Sequence, residues 1–145
     1  MNYKQWIIPY LVHYQDYMDF LDSATRRIAE LDAQVGLVRA SRTDKIVVKG
    51  GGDAGDAQII ESLAEREELR WKLMVTRSKI KWVERGLNKM GNQERRILHL
   101  FYIAPSRDKV QRIMDELHVE KSQVYRLKDD ALQHLARVLT GLLVE

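Results

Sequence analysis

Cysteine is absent from the 145-residue chain, which excludes a disulfide framework and thiolate metal sites and fits a reducing cytosol. Proline is almost absent too: only Pro9 and Pro105 interrupt the sequence, leaving room for long helices between them. No apolar run approaches the ~20 residues needed to cross a bilayer. The N-terminus offers only Trp6-Ile7-Ile8 before Pro9, with neither the apolar core nor the small-residue cleavage site of a signal peptide. A cytoplasmic protein with no membrane partner is therefore expected.

The signatures of catalysis are missing as well. His13, His99, His118 and His134 have no ligand-like spacing. Glu67-Glu68 and Asp129-Asp130 fall on predicted helix surfaces with no cleft to share. Gly50-x-Gly52-x-x-Gly55 has the spacing of a dinucleotide fingerprint, but no strand-loop-helix unit surrounds it, and Asp53 and Asp56 would repel a pyrophosphate. No Gly-Lys-Ser/Thr occurs. The expectation is a protein with no metal, no cofactor and no enzymatic reaction.

What the chain has in quantity is charge and helical periodicity. Net charge is +3 with a pI near 9.2. Residues 1–56 carry 7 basic and 8 acidic side chains and residues 57–145 carry 17 and 13, so the positive half is the second. Tyr10, Tyr14, Tyr17, Leu21, Ala24, Ile28, Leu31, Val35 and Val38 alternate steps of four and three, the heptad seam of a coiled coil. With Pro9 in the first turn, the spacing predicts one helix of roughly thirty residues, ~45 Å long. Glycines at 50, 51, 52 and 55 then predict a loop at about 40–56, in which Ile46-Val47-Val48 makes a short strand or packs on the helices.

A second long helix is expected from Asp56, as N-cap, to Asn88. Leu69, Leu73, Thr76, Ile80, Val83, Leu87 and Met90 repeat the four-three spacing, and Ser62 and Arg66 interrupt it upstream. Two such helices pair most simply as an antiparallel hairpin. Trp71 and Trp82 fall off the seam, and dimerisation is the expected cover for them.

From Met90 the pattern changes to short helices. Asn92 is an expected N-cap for a helix facing inward with Ile97, Leu98, Phe101 and Tyr102. Ser106 is an expected cap for the next, with Val110, Ile113, Met114 and Leu117 inward. A turn at His118-Val119-Glu120 leads to a last helix burying Val124, Leu127, Ala131, Leu132 and Leu135. The apolar tail Leu139–Val144 packs back on the hairpin or forms a subunit interface.

This is the pattern of a helix-turn-helix, whose last helix enters a major groove at its N-terminal end. Lys121, Ser122, Gln123 and Arg126 lie on that side. Gln pairs with adenine and Arg with guanine through two hydrogen bonds each, whereas Lys121 and Lys128 suit phosphates. Arg107, Lys109 and Arg112 on the preceding helix are placed to meet the DNA backbone.

Asn92-Gln93-Glu94-Arg95-Arg96-Ile97-Leu98 and Leu117-His118-Val119-Glu120-Lys121-Ser122-Gln123-Val124-Tyr125-Arg126 resemble the opening helix and the turn-plus-recognition helix of bacterial sigma factor region 4. Thr43-Asp44-Lys45-Ile46 with Gly50-Gly51-Gly52, between two long helices and this module, resembles phage and prophage regulators of the ArpU and RinA type. That resemblance implies a late-gene transcriptional activator. Where the family turn has Gly and Ser, this chain has His118 and Glu120, and residues 90–135 carry seven acids against eight bases. Useful affinity is therefore expected to need a second copy or a polymerase.

The combined expectation is an all-α protein: residues 1–89 a coiled-coil helical hairpin for dimerisation or partner binding, residues 90–145 a helix-turn-helix domain. Its partners are double-stranded DNA, RNA polymerase and a second copy in a homo-oligomer. The alternative is an oligomeric DNA-binding assembly adaptor such as a small packaging (terminase) subunit.

Overall fold

The computed structural model describes residues 2–43 and 53–141, and every regular element among them is helical. In chain order these are α1 (Tyr3–Val12), α2 (Tyr14–Thr43), α3 (Asp53–Asn88), α4 (Asn92–Leu98), a π-helical turn (His99–Ile103), α5 (Lys109–Leu117) and α6 (Lys121–Thr140). No helix among the described residues is long and apolar enough to cross a membrane. Ile46–Val48, the Gly50–Gly52 part of the loop and the tail Leu142–Val144 lie outside the described residues.

The N-terminal helix starts six residues earlier than the proline suggested. Asn2 caps it, its side-chain oxygen accepting from the Lys4 amide at 3.1 Å, and Pro9 sits inside α1. Proline forfeits one helix hydrogen bond and crowds the preceding turn, but Ile7 and Leu11, on either side of it, are both fully buried. Burying such side chains is worth ~1.5–3 kcal/mol each, enough to hold the turn. The expected single helix is therefore broken, at His13, into α1 and α2.

Helix α3 begins at Asp53 rather than after an Asp56 cap. Gly55 inside it costs ~1 kcal/mol relative to alanine, little against a long helix in which each added residue also adds a hydrogen bond.

The chain divides into two compact units, Met1–Met18 with Ser78–Glu145, and Asp19–Arg77. The division differs from the sequence-based one at residues 89/90. Residues 1–18 and 78–89 go with the C-terminal helices because their apolar side chains share a core with them: Ile7, Leu11, Val83 and Met90 pack with Leu98, Ile103, Leu132 and Leu135. Trp82 is covered here by α1, its ring centroid 5.9 Å from Trp6 and 5.0 Å from Tyr10, so this tryptophan needs no second copy to shield it.

In the unit Asp19–Arg77, Ala24, Leu31, Val35 and Leu73 are buried. Ser62 and Arg66 continue the α3 seam rather than interrupting it. Ser62 is 7% exposed, and Arg66 reaches Asp32 of α2 at 2.6 Å, while Arg27 grips Glu65 through two hydrogen bonds of 2.9 and 3.0 Å. Trp71 remains 59% exposed.

A second cluster, Ile97, Leu100, Ile113 and Val124, joins α4, α5 and α6, with Phe101, Val110, Met114, Leu117, Val119 and Leu127 packed against it. The π-helical turn changes the expected inward face. Its wider turn advances the register, so Leu100 and Ile103 are buried while Phe101 and Tyr102 are only half-buried.

Candidate nucleic-acid interface

Helix α6 is rotated by its apolar face. Val124, Ala131, Leu132, Leu135 and Ala136 are buried, which at 3.6 residues per turn leaves Ser122 and Arg126 directed outward. Both are exposed, as is Lys121, the first residue of the helix, whereas Gln123 is half-buried.

The corner before α6 is tight. His118 takes the left-handed conformation, φ 55° and ψ 49°, the one non-glycine with positive φ among the described residues. That costs of order 1–2 kcal/mol relative to glycine. The Val119 amide, donating to the Met114 carbonyl at 3.3 Å, and the Val119 side chain, packed against the second cluster, hold the turn in place. Glu120 is the N-cap residue of α6 and makes no side-chain capping bond.

Two other expected caps are replaced. Gly91 is the N-cap residue of α4, and its amide donates to the Glu94 carboxylate at 3.3 Å. Asn92 is thus already helical, and its side chain accepts from Arg95 instead. Asp108 is the N-cap residue of α5. Ser106, two residues too early, donates its hydroxyl to Asp108 and accepts the Lys109 amide at its carbonyl.

The predicted interface residues separate into two groups. Among the described residues, Lys121, Arg126 and Arg107 have no side-chain hydrogen bond or ion pair within the chain. Arg112 lies 3.9 Å from Asp108. Lys109 and Lys128 both turn onto Phe101, with their ammonium groups 5.5 and 5.6 Å from its ring centroid. Lys128 also stands over Tyr125 at 5.5 Å and 3.5 Å from Asp129, so it is not on the Arg126 face.

The acids that make this region nearly neutral are largely engaged. Glu116 takes Arg96 at 2.9 Å, a bond that holds its carboxyl below the usual range and raises the guanidinium. Glu94 takes His134 at 2.7 Å, and Asp129 takes Lys4 of α1 at 3.1 Å. The Asp108 carboxyl is lowered chiefly by the Ser106 hydroxyl. Among the described residues, Lys121 and Arg126 at the start of α6 form no ion pair, and the exposed Glu120 is the one acid beside them.

Sequence reasoning missed Tyr125, which is 40% exposed and stands edge-on to Phe101 at 6.1 Å. Its place between buried Val124 and outward Arg126 was a usable signal. Phe101 had none, because an α-helical period assigns it to the core.

A cleft of about 410 Å3 in the same unit is lined by Tyr14, Gln15, Glu84, Leu87, Asn88, Arg95, His99 and Ile103. Tyr14 donates to Glu84 at 2.5 Å. Burial first, and then that carboxylate, push the phenol up to about 12, so it stays protonated and ties α2 to α3. Among the described residues no three His, Asp or Glu side chains cluster closely enough to hold a metal ion.

Compared with protein-family models, with characterised proteins and with solved structures, the chain matches none.

Proposed function

We propose that this chain is a sequence-specific, double-stranded-DNA-binding transcriptional regulator, a late-gene activator of the kind its sequence resembles. In this reading α5, the His118–Glu120 turn and α6 are the helix-turn-helix, and α6 is the recognition helix. Helices α2 and α3 are an antiparallel coiled-coil hairpin that serves dimerisation or contact with RNA polymerase. In its support, early α2 meets late α3 at Tyr14–Glu84 and Tyr17–Lys79, and later α2 meets earlier α3 at Arg27–Glu65 and Asp32–Arg66.

What carries the proposal is the start of α6: Lys121, Ser122 and Arg126 are exposed together on the end of a helix that follows a tight turn. A helix end is what enters a major groove, and an arginine there reads guanine through two hydrogen bonds. Arg107 and Arg112, before and on α5, supply contacts to the backbone. The chemistry is recognition alone.

Genomic fragments selected by the protein and sequenced should yield a common motif. Anisotropy titration should then show tighter binding to that duplex than to a scrambled one of equal length. Equal affinity for the two would overturn the proposal.

A further inference from the structure

Phe101 is where three observations meet. The π-helical turn His99–Ile103 leaves its ring half-buried at the surface. Lys109, the first residue of α5, and Lys128, two turns into α6, both place their ammonium groups over that ring, at 5.5 and 5.6 Å. Tyr125, exposed on α6, stands edge-on to it at 6.1 Å with an interplanar angle of 71°. Two cations from different helices and one exposed phenol are thus gathered around one aromatic side chain, beside the outward face of α6.

Like charges do not gather without something to hold them. An aromatic face attracts an ammonium through its quadrupole, and a ring reached from two helices holds both. Each ammonium has three N–H donors, so the side away from the ring stays available. Asp129 takes Lys4 at 3.1 Å and stands 3.5 Å from Lys128, so one carboxylate shared by two ammonium groups offsets Lys128 only in part. The gathered charge is left for an anion from outside the chain.

We infer that Phe101, Tyr125, Lys109 and Lys128 form a phosphate clamp for duplex DNA. The two ammonium groups and the Tyr125 hydroxyl grip the backbone flanking the groove that α6 enters, and Phe101 is the positioning residue that preorganises them. This rests on the DNA-binding reading above and adds a site to it. Phosphates are neutralised without reading sequence, so the clamp supplies affinity and register while Arg126 supplies preference. Holding the lysines in place before binding lowers the ordering entropy lost on contact.

The test is the salt dependence of binding to a mixed-sequence DNA duplex, followed by anisotropy between about 50 and 200 mM salt. Lys109→Gln and Lys128→Gln should each reduce the slope of log affinity against log salt by about one unit. Phe101→Leu, checked for retained helicity and melting point, should reduce it by between one and two units, and Phe101→Tyr should restore it. Tyr125→Phe should weaken binding several-fold with the slope unchanged.

In a Lys109→Gln/Lys128→Gln background, Phe101→Leu should have little further effect. A wild-type slope in folded Phe101→Leu, or a Phe101 effect that adds in full to the double lysine change, would overturn the clamp while leaving DNA binding in place. A Phe101→Leu protein that does not fold leaves the lysine pair as the test: a slope lowered by between one and two units in Lys109→Gln/Lys128→Gln supports the clamp, and an unchanged slope overturns it. No binding of the wild-type protein to any duplex at low salt overturns both clamp and DNA reading.

Discussion

Gly86 of α3 lies so close beneath Leu139 of α6 that a Cβ on it would stand 2.7 Å from the Leu139 Cδ2 and 2.8 Å from the Leu135 Cδ1. The absence of a side chain at residue 86 lets α6, the helix that carries the candidate interface, seat on α3. Leu139 is thereby packed back within its own unit.

Gly86→Ala should therefore destabilise the protein although it raises helix propensity. Overpacking of this kind costs ~1–3 kcal/mol, against the ~1 kcal/mol that alanine gains over glycine in a helix. Gly36, on α2, is the control. Nothing lies within 4 Å of its Cβ position, so Gly36→Ala should stabilise by ~0.5–1 kcal/mol. Urea unfolding of the two variants should move in opposite directions, and Leu139→Ala should relieve the Gly86→Ala strain.

Arg126→Ala should remove sequence preference while leaving most non-specific binding intact. A bidentate base contact is worth ~1–3 kcal/mol of discrimination, or roughly five- to 150-fold. Gln123→Ala should cost less than the sequence alone suggested, because Gln123 is half-buried. Competition between specific and scrambled duplexes measures both.

The Arg96–Glu116 bond ties α4 to α5, and its effect should vanish in acid. Glu116 has a folded pKa below its usual 4.5 because the Arg96 guanidinium donates to it. A lowered carboxylate contributes stability that is present above about pH 4.5 and lost as the pH falls through the folded value. Both side chains are solvent-accessible, so the contribution is small. Melting points of wild type and Glu116→Gln should differ at neutral pH and converge in acid; a difference that persists at the lowest pH would show another origin.

Arg66 of the α3 seam pairs with the exposed Asp32 at 2.6 Å, with the Arg66 Nε buried and unpaired. Asp32→Ala should destabilise by leaving the guanidinium without its partner. Because Asp32 is 45% exposed, the effect should be that of a largely solvated pair, about 1 kcal/mol or less. Thermal melts of wild type and Asp32→Ala measure it directly.

Trp71 and Trp82 should be distinguishable in solution. Trp82 packs with Trp6 and Tyr10, whereas Trp71 is exposed. Acrylamide should quench wild-type fluorescence more strongly than that of Trp71→Phe. Light scattering alongside reports whether a second copy forms, and reduced Trp71 quenching on association would place that residue in the contact.

The helical character of the chain was legible because heptad and 3.6-residue periods repeat over many positions, so single departures do not erase them. The seam from Tyr14 to Val38 is buried or half-buried at every expected position. Helix ends were less legible. Asn92 and Ser106 are both good capping residues, yet each lost the position to a neighbour one or two residues away, because caps compete locally for energies of ~1 kcal/mol, and Asp56 lies inside α3.

By itself the sequence determined that the chain is helical, where the apolar faces of its regular α-helices lie, and that Lys121, Ser122 and Arg126 open the last long helix. Periodicity and composition are properties of neighbouring residues, so they can be read along the chain. Only the tertiary structure decided that α1 covers Trp82, that Lys109 and Lys128 converge on Phe101, and that Asp129 of α6 pairs with Lys4 of α1. Those relations join residues far apart in sequence, and a π-helical turn that no period announces sets one of them. The start of α6 stands out as a candidate interface because Lys121 and Arg126 are exposed there and form no ion pair among the described residues.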